Sequence, residues 1–231
     1  VVTPFDLGAK ASSFDPKAVE AVTYTDGKTW GVPYALENLA MLTNPALSPE
    51  CPASLDDLIS QGQALVKDKT SSLPLALPIG ADGDPYNWYP LYSANGGYIF
   101  GDGGTDGPST SQPFIGAQTM FIPTKAQNAL IAQTFLNDYV MTTEFMDAMQ
   151  VADPRLPSWI ETQASVADDP VINGFLDYGQ QGIPLPAVPE MASVWQSLGL
   201  AEYKVATGAD PTETMTEAGE AIDAAIAEQG S

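Results

Sequence analysis

Apolar and polar positions along this chain change period many times, and each change marks an element. After a stretch to about Phe14 with little periodic signal, Asp15-Pro16 predicts a short helix that ends before Thr23, with proline at the first helical position. Val22 to Thr25, an Asp26-Gly27 turn and Lys28 to Tyr34 read as a hairpin, and Leu36 to Thr43 reads as a second apolar strand broken by Glu37 and Asn38. Ser54 followed by Asp57 resembles a capping box ahead of the stripe Leu55, Leu58, Ile59 and Leu65, which predicts a helix to about Lys69. Leu73 to Leu77 is a short apolar strand, followed by a loop from Ala81 to Pro85 and an aromatic cluster of Tyr86, Trp88, Tyr89 and Tyr92.

From Gly101 to Pro113 no large apolar residue occurs, so this polar seam has the composition of a linker. Phe114 to Ile122 is strand-like. Thr124 with Gln127 forms a capping box leading into a helix from Ala126 to Val140, where Ile131, Phe135 and Tyr139 share a face. A short helix is predicted from Thr143 to Met149, and longer helical spacing over Val171 to Tyr178, Met191 to Ala206 and Pro211 to Glu228. The last opens with Asp210 as cap, Pro211 in the first turn and Glu213 as capping partner. Strands mixed with longer helices predict an α/β architecture, not a β-sandwich or a helical bundle.

Composition narrows the chemistry. At 231 residues and 44% apolar content the chain can bury the core of one large or two small domains. Eight basic against 29 acidic residues give a net charge of −21, a field that repels phosphate backbones and anionic lipids, so nucleic acid and acidic membranes are poor partners. Histidine is absent, which removes the usual base of Ser and Cys hydrolases and the commonest transition-metal ligand. The single cysteine, Cys51, permits neither an internal disulfide nor a Cys/His zinc site and reads as a small surface or half-buried residue. No run approaches the roughly 18 to 20 apolar residues of a membrane span, and the first residues carry no charged-then-apolar signal pattern, so the chain is expected to be soluble.

Asp82, Asp84, Asp102 and Asp106 invite a calcium reading, but Gly104 and Pro113 stand where the loop at Asp102 would need oxygen ligands, and turn chemistry accounts for these acids. No metal or cofactor is expected. Walker, dinucleotide-binding and nucleophile-elbow motifs are missing from the sequence. Paired carboxylates can hydrolyse glycosides without histidine, which leaves an enzyme open. Glu37 lies inside the apolar run 34–41, and is either a buried acid that needs partners or an edge-strand residue facing water. The aromatic cluster and Trp195 are either platforms for pyranose rings, with acids and amides for the hydroxyls, or core packing.

Four blocks in order bear on that choice. The run from Val22 to Glu37, VTYTDGKTWGVPYALE, resembles the hairpin and first hinge crossing of bacterial extracellular solute-binding proteins of the maltose-binding type. Pro85-Tyr86-Asn87-Trp88-Tyr89-Pro90, followed by Ala94 to Phe100, is similar to that family's sugar-contacting aromatic segment and the Gly-Gly-Tyr strand after it. Gln112-Pro113-Phe114-Ile115-Gly116 resembles the second crossing, and Pro186 to Trp195 resembles its Pro-rich lead into a tryptophan-bearing helix.

The resemblance implies a periplasmic-binding-protein type II-like fold with two discontinuous lobes, both incomplete here. Residues 1–35 and 116–163 would form a partial first lobe and 36–111 and 170–231 a partial second, with hinge crossings at 112–115 and 164–169. A neutral sugar or oligosaccharide of the maltose or maltodextrin kind would bind between the lobes and pass to the membrane permease subunits of an ABC importer, without catalysis. Glu37 falls on a hinge-side acid that contacts sugar hydroxyls, Asp84 takes the place of a Glu, Tyr86 matches a stacking tyrosine and Trp195 a tryptophan platform. Trp88, in the same aromatic segment, and Gln196, beside the matched tryptophan, complete the expected ligand set. Gln196 and Gly199 stand where the maltose-binding branch has Tyr and Arg, which argues against strict maltose selectivity. The family also carries an opening part of the first lobe and a stretch before the second crossing that have no counterpart here. The chain is thus expected to be a shortened form, joined near Asp102-Gly103-Gly104-Thr105, that binds sugar weakly or not at all. It is expected to be a monomer, periplasmic or lipid-anchored on the outer face of a bacterial membrane. A hydrolase or lectin-like module using acids and aromatics is the competing expectation.

Overall fold

The computed structural model describes residues 1–77, 79–100, 109–186 and 188–229. The polar seam, as far as residue 108, and the join expected within it lie outside the described residues. In chain order the elements are β1 (Val2–Thr3), a 3-10 turn (Gly8–Ser13), α1 (Pro16–Ala21), β2 (Val32–Asn38), α2 (Leu55–Lys67), α3 (Pro85–Ala94), β3 (Phe114–Met120) and β4 (Ile122–Pro123). There follow α4 (Ala129–Phe135), running into a π turn (Leu136–Val140), α5 (Thr143–Ala152), β5 (Leu156–Pro157), α6 (Ile160–Ser165), α7 (Pro170–Gly179), β6 (Ile183–Pro184), α8 (Met191–Ala206) and α9 (Pro211–Gln229). With about 49% helix, 12% strand and open sheets, the protein is mixed α and β, as its periodicity predicts. It divides into two units, Val1–Ala40 with Gln112–Ala187, and Met41–Ser111 with Val188–Ser231.

The first unit is organised by a four-stranded sheet of order β5-β2-β3-β6, in which β2 runs antiparallel to β3 and β5 while β6 is parallel to β3. Pro33 has no N–H for the ladder, and the register shifts between Pro33 and Ala35, so a bulge absorbs the missing donor. Ala18 of α1 is fully buried beside Leu36 and Ile115. A larger core gathers Phe5, Leu7, Phe14, Val32, Ile122, Leu136, Val140, Met141, Met146 and Trp159. Phe14 meets Trp159 edge to face at 4.8 Å, and the Trp159 indole N–H donates to Thr143 Oγ1 at 2.9 Å, so the ring is packed without stranding its donor.

Asp15 ties this unit together. It is 4% exposed, yet its carboxylate accepts from Lys17 N at 2.8 Å, as the cap of α1, and from Gln163 Nε2 at 2.9 Å and Gln180 Nε2 at 3.2 Å. One side chain thereby joins α1, α6 and the end of α7.

The hairpin at 22–34 reduces to a bridge between Thr23 and Thr29 around the Asp26-Gly27 turn, and β2 is one strand spanning the two that were expected. It stops at Asn38 and not at Thr43, because Asn38 pairs with Ile115 and the partner strand begins one residue earlier, at Phe114. Thr124 does not cap a helix: its N–H and hydroxyl both donate to Val1 O, at 3.1 and 3.3 Å, beside the β1-β4 pair, and α4 starts later, at Ala129. The shared face of Ile131, Phe135 and Tyr139 is exposed (69, 49 and 63%), while Leu136 and Val140 carry the buried side.

In the second unit Ser54 Oγ caps α2 by accepting from Asp57 N at 3.1 Å, and the Asp57 carboxylate reaches back to Ala53 N at 2.9 Å. Leu73 to Leu77 forms no strand: Pro74 cannot donate to a ladder and lies on α2 at Gly62, where a Cβ would come within 2.4 Å of the Pro74 carbonyl oxygen. The segment Gly96 to Phe100 is likewise no strand. Gly96, at φ +83°, ends α3 in the left-handed conformation and Gly97 N donates to Tyr92 O at 3.0 Å, so the chain turns back onto the helix. Asp210 caps α9 through Glu213 N at 2.9 Å.

Replacing Asp15 by alanine removes the cap and the carboxylate that accepts from Gln163 and Gln180, leaving Gln163 Nε2 with Pro157 O, and we expect a loss of about 2–3 kcal/mol in chemical denaturation. Asp15→Asn keeps the cap and should lose less; equal stability of Asp15→Ala and the parent would contradict this role.

Candidate functional site

Helix α3 begins at Asp84, whose Oδ1 accepts from Asn87 N at 3.2 Å and whose Oδ2 accepts from Asn87 Nδ2 at 2.6 Å. With Pro85 in the first turn, this fixes where the helix starts and hence where Tyr86, two residues after the cap, projects. Helix α8 carries Trp195. The two rings lie with centroids 6.5 Å apart, tilted by 56°, and both residues are half-buried.

This proximity depends on glycine. Gly83 adopts φ +70°, and a Cβ there would fall 1.9 Å from Gly199 O; a Cβ on Gly199 would fall 2.2 Å from Asp82 O. The loop before α3 and the middle of α8 therefore touch backbone to backbone. Gly199 stands at a place where the resembled branch has Arg, and no side chain fits between these two backbones.

An acid absent from the sequence-based set completes the cluster. Glu202 Oε2 accepts from Asp84 N at 3.0 Å. Burial, with a contribution from the neighbouring Asp84 carboxylate and against the hydrogen bond from Asp84 N, pushes the Glu202 carboxyl up to about 7. Glu202 follows Trp195 by seven residues, two helical turns, and thus shares its face of α8; that spacing was the signal available in the sequence.

Of the six expected ligand residues, Asp84, Tyr86 and Trp195 come together in the second unit. Gln196 is exposed beside Trp195. Trp88, two residues beyond Tyr86, points elsewhere on α3, and its buried indole N–H has no acceptor among the described residues. Tyr89 is 3% exposed, and burial together with Tyr98 and Tyr92 pushes its phenol up to about 12, so within the aromatic cluster it is a core residue. Glu37 belongs to the first unit. It is exposed, accepts from Gln118 Nε2 at 2.7 Å and sits opposite Gly116, on a strand flanked by β3 and β5 and not at the sheet edge.

Asp82 lies in a turn, Asp84 caps a helix and Cys51 is exposed, while Asp102 and Asp106 lie outside the described residues. Among the described residues no helix is long and apolar enough to cross a membrane. A hollow of about 440 Å³ in the first unit, lined by Phe5, Leu7, Ala11 and Val19, involves none of the six residues. Its rim acid and base are engaged, Asp6 with Gly8 N at 2.8 Å and Lys28 with Asp26 at 3.3 Å, so it offers little to orient a polar ligand. No protein-family model matches the chain.

Gly199→Ala should cost about 1–3 kcal/mol in denaturation, because the methyl group meets a backbone carbonyl that cannot rotate away. Gly219→Ala on α9, where a Cβ meets open space, should instead stabilise by about 0.5–1 kcal/mol. Equal effects of the two would contradict the close approach.

Proposed function

We propose that the protein binds a neutral saccharide, of the maltodextrin kind, through the Tyr86–Trp195 pair, as the solute-binding component of a bacterial ABC importer. The observation that carries this reading is the pairing of two partly exposed rings, from helices more than a hundred residues apart in sequence, beside carboxylate and amide groups. Ring faces cover the CH patches of a pyranose, and oxygen acceptors suit its hydroxyls. A net charge of −21 favours an uncharged guest over a phosphorylated or carboxylated one.

The division into two units, each built from two separated stretches of chain, supports assignment to a periplasmic-binding-protein type II-like fold. On this reading the protein works outside the cytoplasmic membrane and as a monomer, and its second unit supplies the aromatic wall of the binding site. Binding is preferred over hydrolysis because the two carboxylates that meet near the rings are committed: Asp84 to the start of α3 and Glu202 to Asp84 N.

Calorimetric titration with maltotriose should give weak association, roughly millimolar or about −4 kcal/mol, since one aromatic pair carries most of the contact. Trp195→Ala should weaken it about tenfold, equivalent to about 1.4 kcal/mol. No heat with several saccharides at high concentration would contradict binding, and release of product from a chromogenic glycoside would favour the hydrolase.

A further inference from the structure

Helix α3 has an incomplete capping box of its own. In the usual box the residue three after the cap reaches back to the cap's N–H, but here Asn87 holds that position and its side-chain amide donates to the Asp84 carboxylate instead. The Asp84 N–H is left to Glu202, 118 residues away on α8, which accepts it at 3.0 Å. The same helix carries Trp195 two turns earlier, while Tyr86 sits two residues after the cap.

We propose that Glu202 is a positioning residue that completes the cap of α3 from α8 and, through its protonation state, sets how firmly Tyr86 is held against Trp195. As a statement about saccharide affinity this rests on the reading above; as a statement about the ring pair it stands on the Glu202–Asp84 bond and the Gly83–Gly199 contact.

Burial is the main cause of the raised Glu202 proton affinity; the Asp84 carboxylate adds to it, and the hydrogen bond from Asp84 N opposes it. Asp82 adds another carboxylate to the loop whose backbone abuts Gly199. From the α9 side, Glu217 pairs with Lys204 at 3.6 Å, and both are exposed. A carboxyl pushed up to about 7 binds its proton more tightly in the folded protein than in the unfolded chain, where its ordinary value is 4.5. The folded state therefore loses stability as pH rises from about 4.5 to about 7, and no further change comes from this group above that range. Ionised Glu202 accepts more strongly from Asp84 N, but it must give up water and face the Asp84 carboxylate; burial outweighs the bond, so the folded α3–α8 arrangement is favoured when Glu202 is protonated and loosens as it ionises.

The test follows the Tyr86–Trp195 ring cross-peaks by NMR across pH 5 to 9 in the protein without sugar, in the parent and in Glu202→Gln, which keeps the acceptor and cannot ionise. The parent cross-peaks should weaken with a midpoint near 7, and those of Glu202→Gln should stay constant at the acid-side intensity. Asp84→Asn, which keeps a capping oxygen and removes the neighbouring charge, should move the midpoint down. With maltotriose, parent affinity should fall several-fold between pH 6 and pH 8, while that of Glu202→Gln holds. Identical pH profiles for the parent and Glu202→Gln, or loss of the ring pair at every pH in Glu202→Gln, would overturn the proposal. Absence of saccharide binding at every pH would overturn the sugar reading alone, because the sugar-free cross-peaks decide the role of Glu202 independently.

Discussion

Two backbones in direct contact govern the candidate site. Gly83 and Gly199 each leave no room for even a Cβ, so the loop before α3 and the middle of α8 approach to a separation that any other residue would enlarge. Around this approach the Glu202 carboxylate reaches the Asp84 N–H, the cap of α3 is completed, and the first turn of that helix brings Tyr86 to Trp195. Side-chain hydrogen bonds refine the arrangement, but they act only because the chains are already close.

The first unit is held by a different device. Its sheet is short on its outer members, with β5 and β6 contributing two residues each, and the long pair β2–β3 carries the register. Asp15 compensates by linking helices that the short strands cannot hold, and its carboxylate is buried only because three donors surround it. The exposed apolar face of α4 and the π turn after it shows the opposite economy: Leu136 and Val140 fill the core, and Ile131, Phe135 and Tyr139 are left at the surface, the last two stacked with centroids 6.0 Å apart.

What was legible in the sequence was local. Asp15-Pro16, Ser54 with Asp57, and Asp210-Pro211 with Glu213 mark helix starts because the cap chemistry lies within four residues, and α8 spans the residues that its spacing predicts. Strands were less legible, since a strand ends where its partner ends. Nothing near Asn38 announces that β3 begins at Phe114, and the apolar run at 73–77 looks extended until Pro74 is seen resting on Gly62. Asp84, Tyr86 and Trp195 were visible as residue types, but their convergence was not. Glu202 was hidden for the same reason: its partner is a backbone N–H, which every sequence position except proline offers, and only the fold selects Asp84.

On the proposed function, the Tyr86 and Trp195 rings form a surface on which a pyranose lies. Saturation-transfer NMR with maltotriose, irradiating the protein's aromatic protons, reads that contact directly. The account predicts transfer to the axial CH protons of at least one glucose unit in the parent, strongly reduced in a Trp195→Ala, Tyr86→Ala double variant. Transfer of equal strength in both proteins, or none in either, would contradict it.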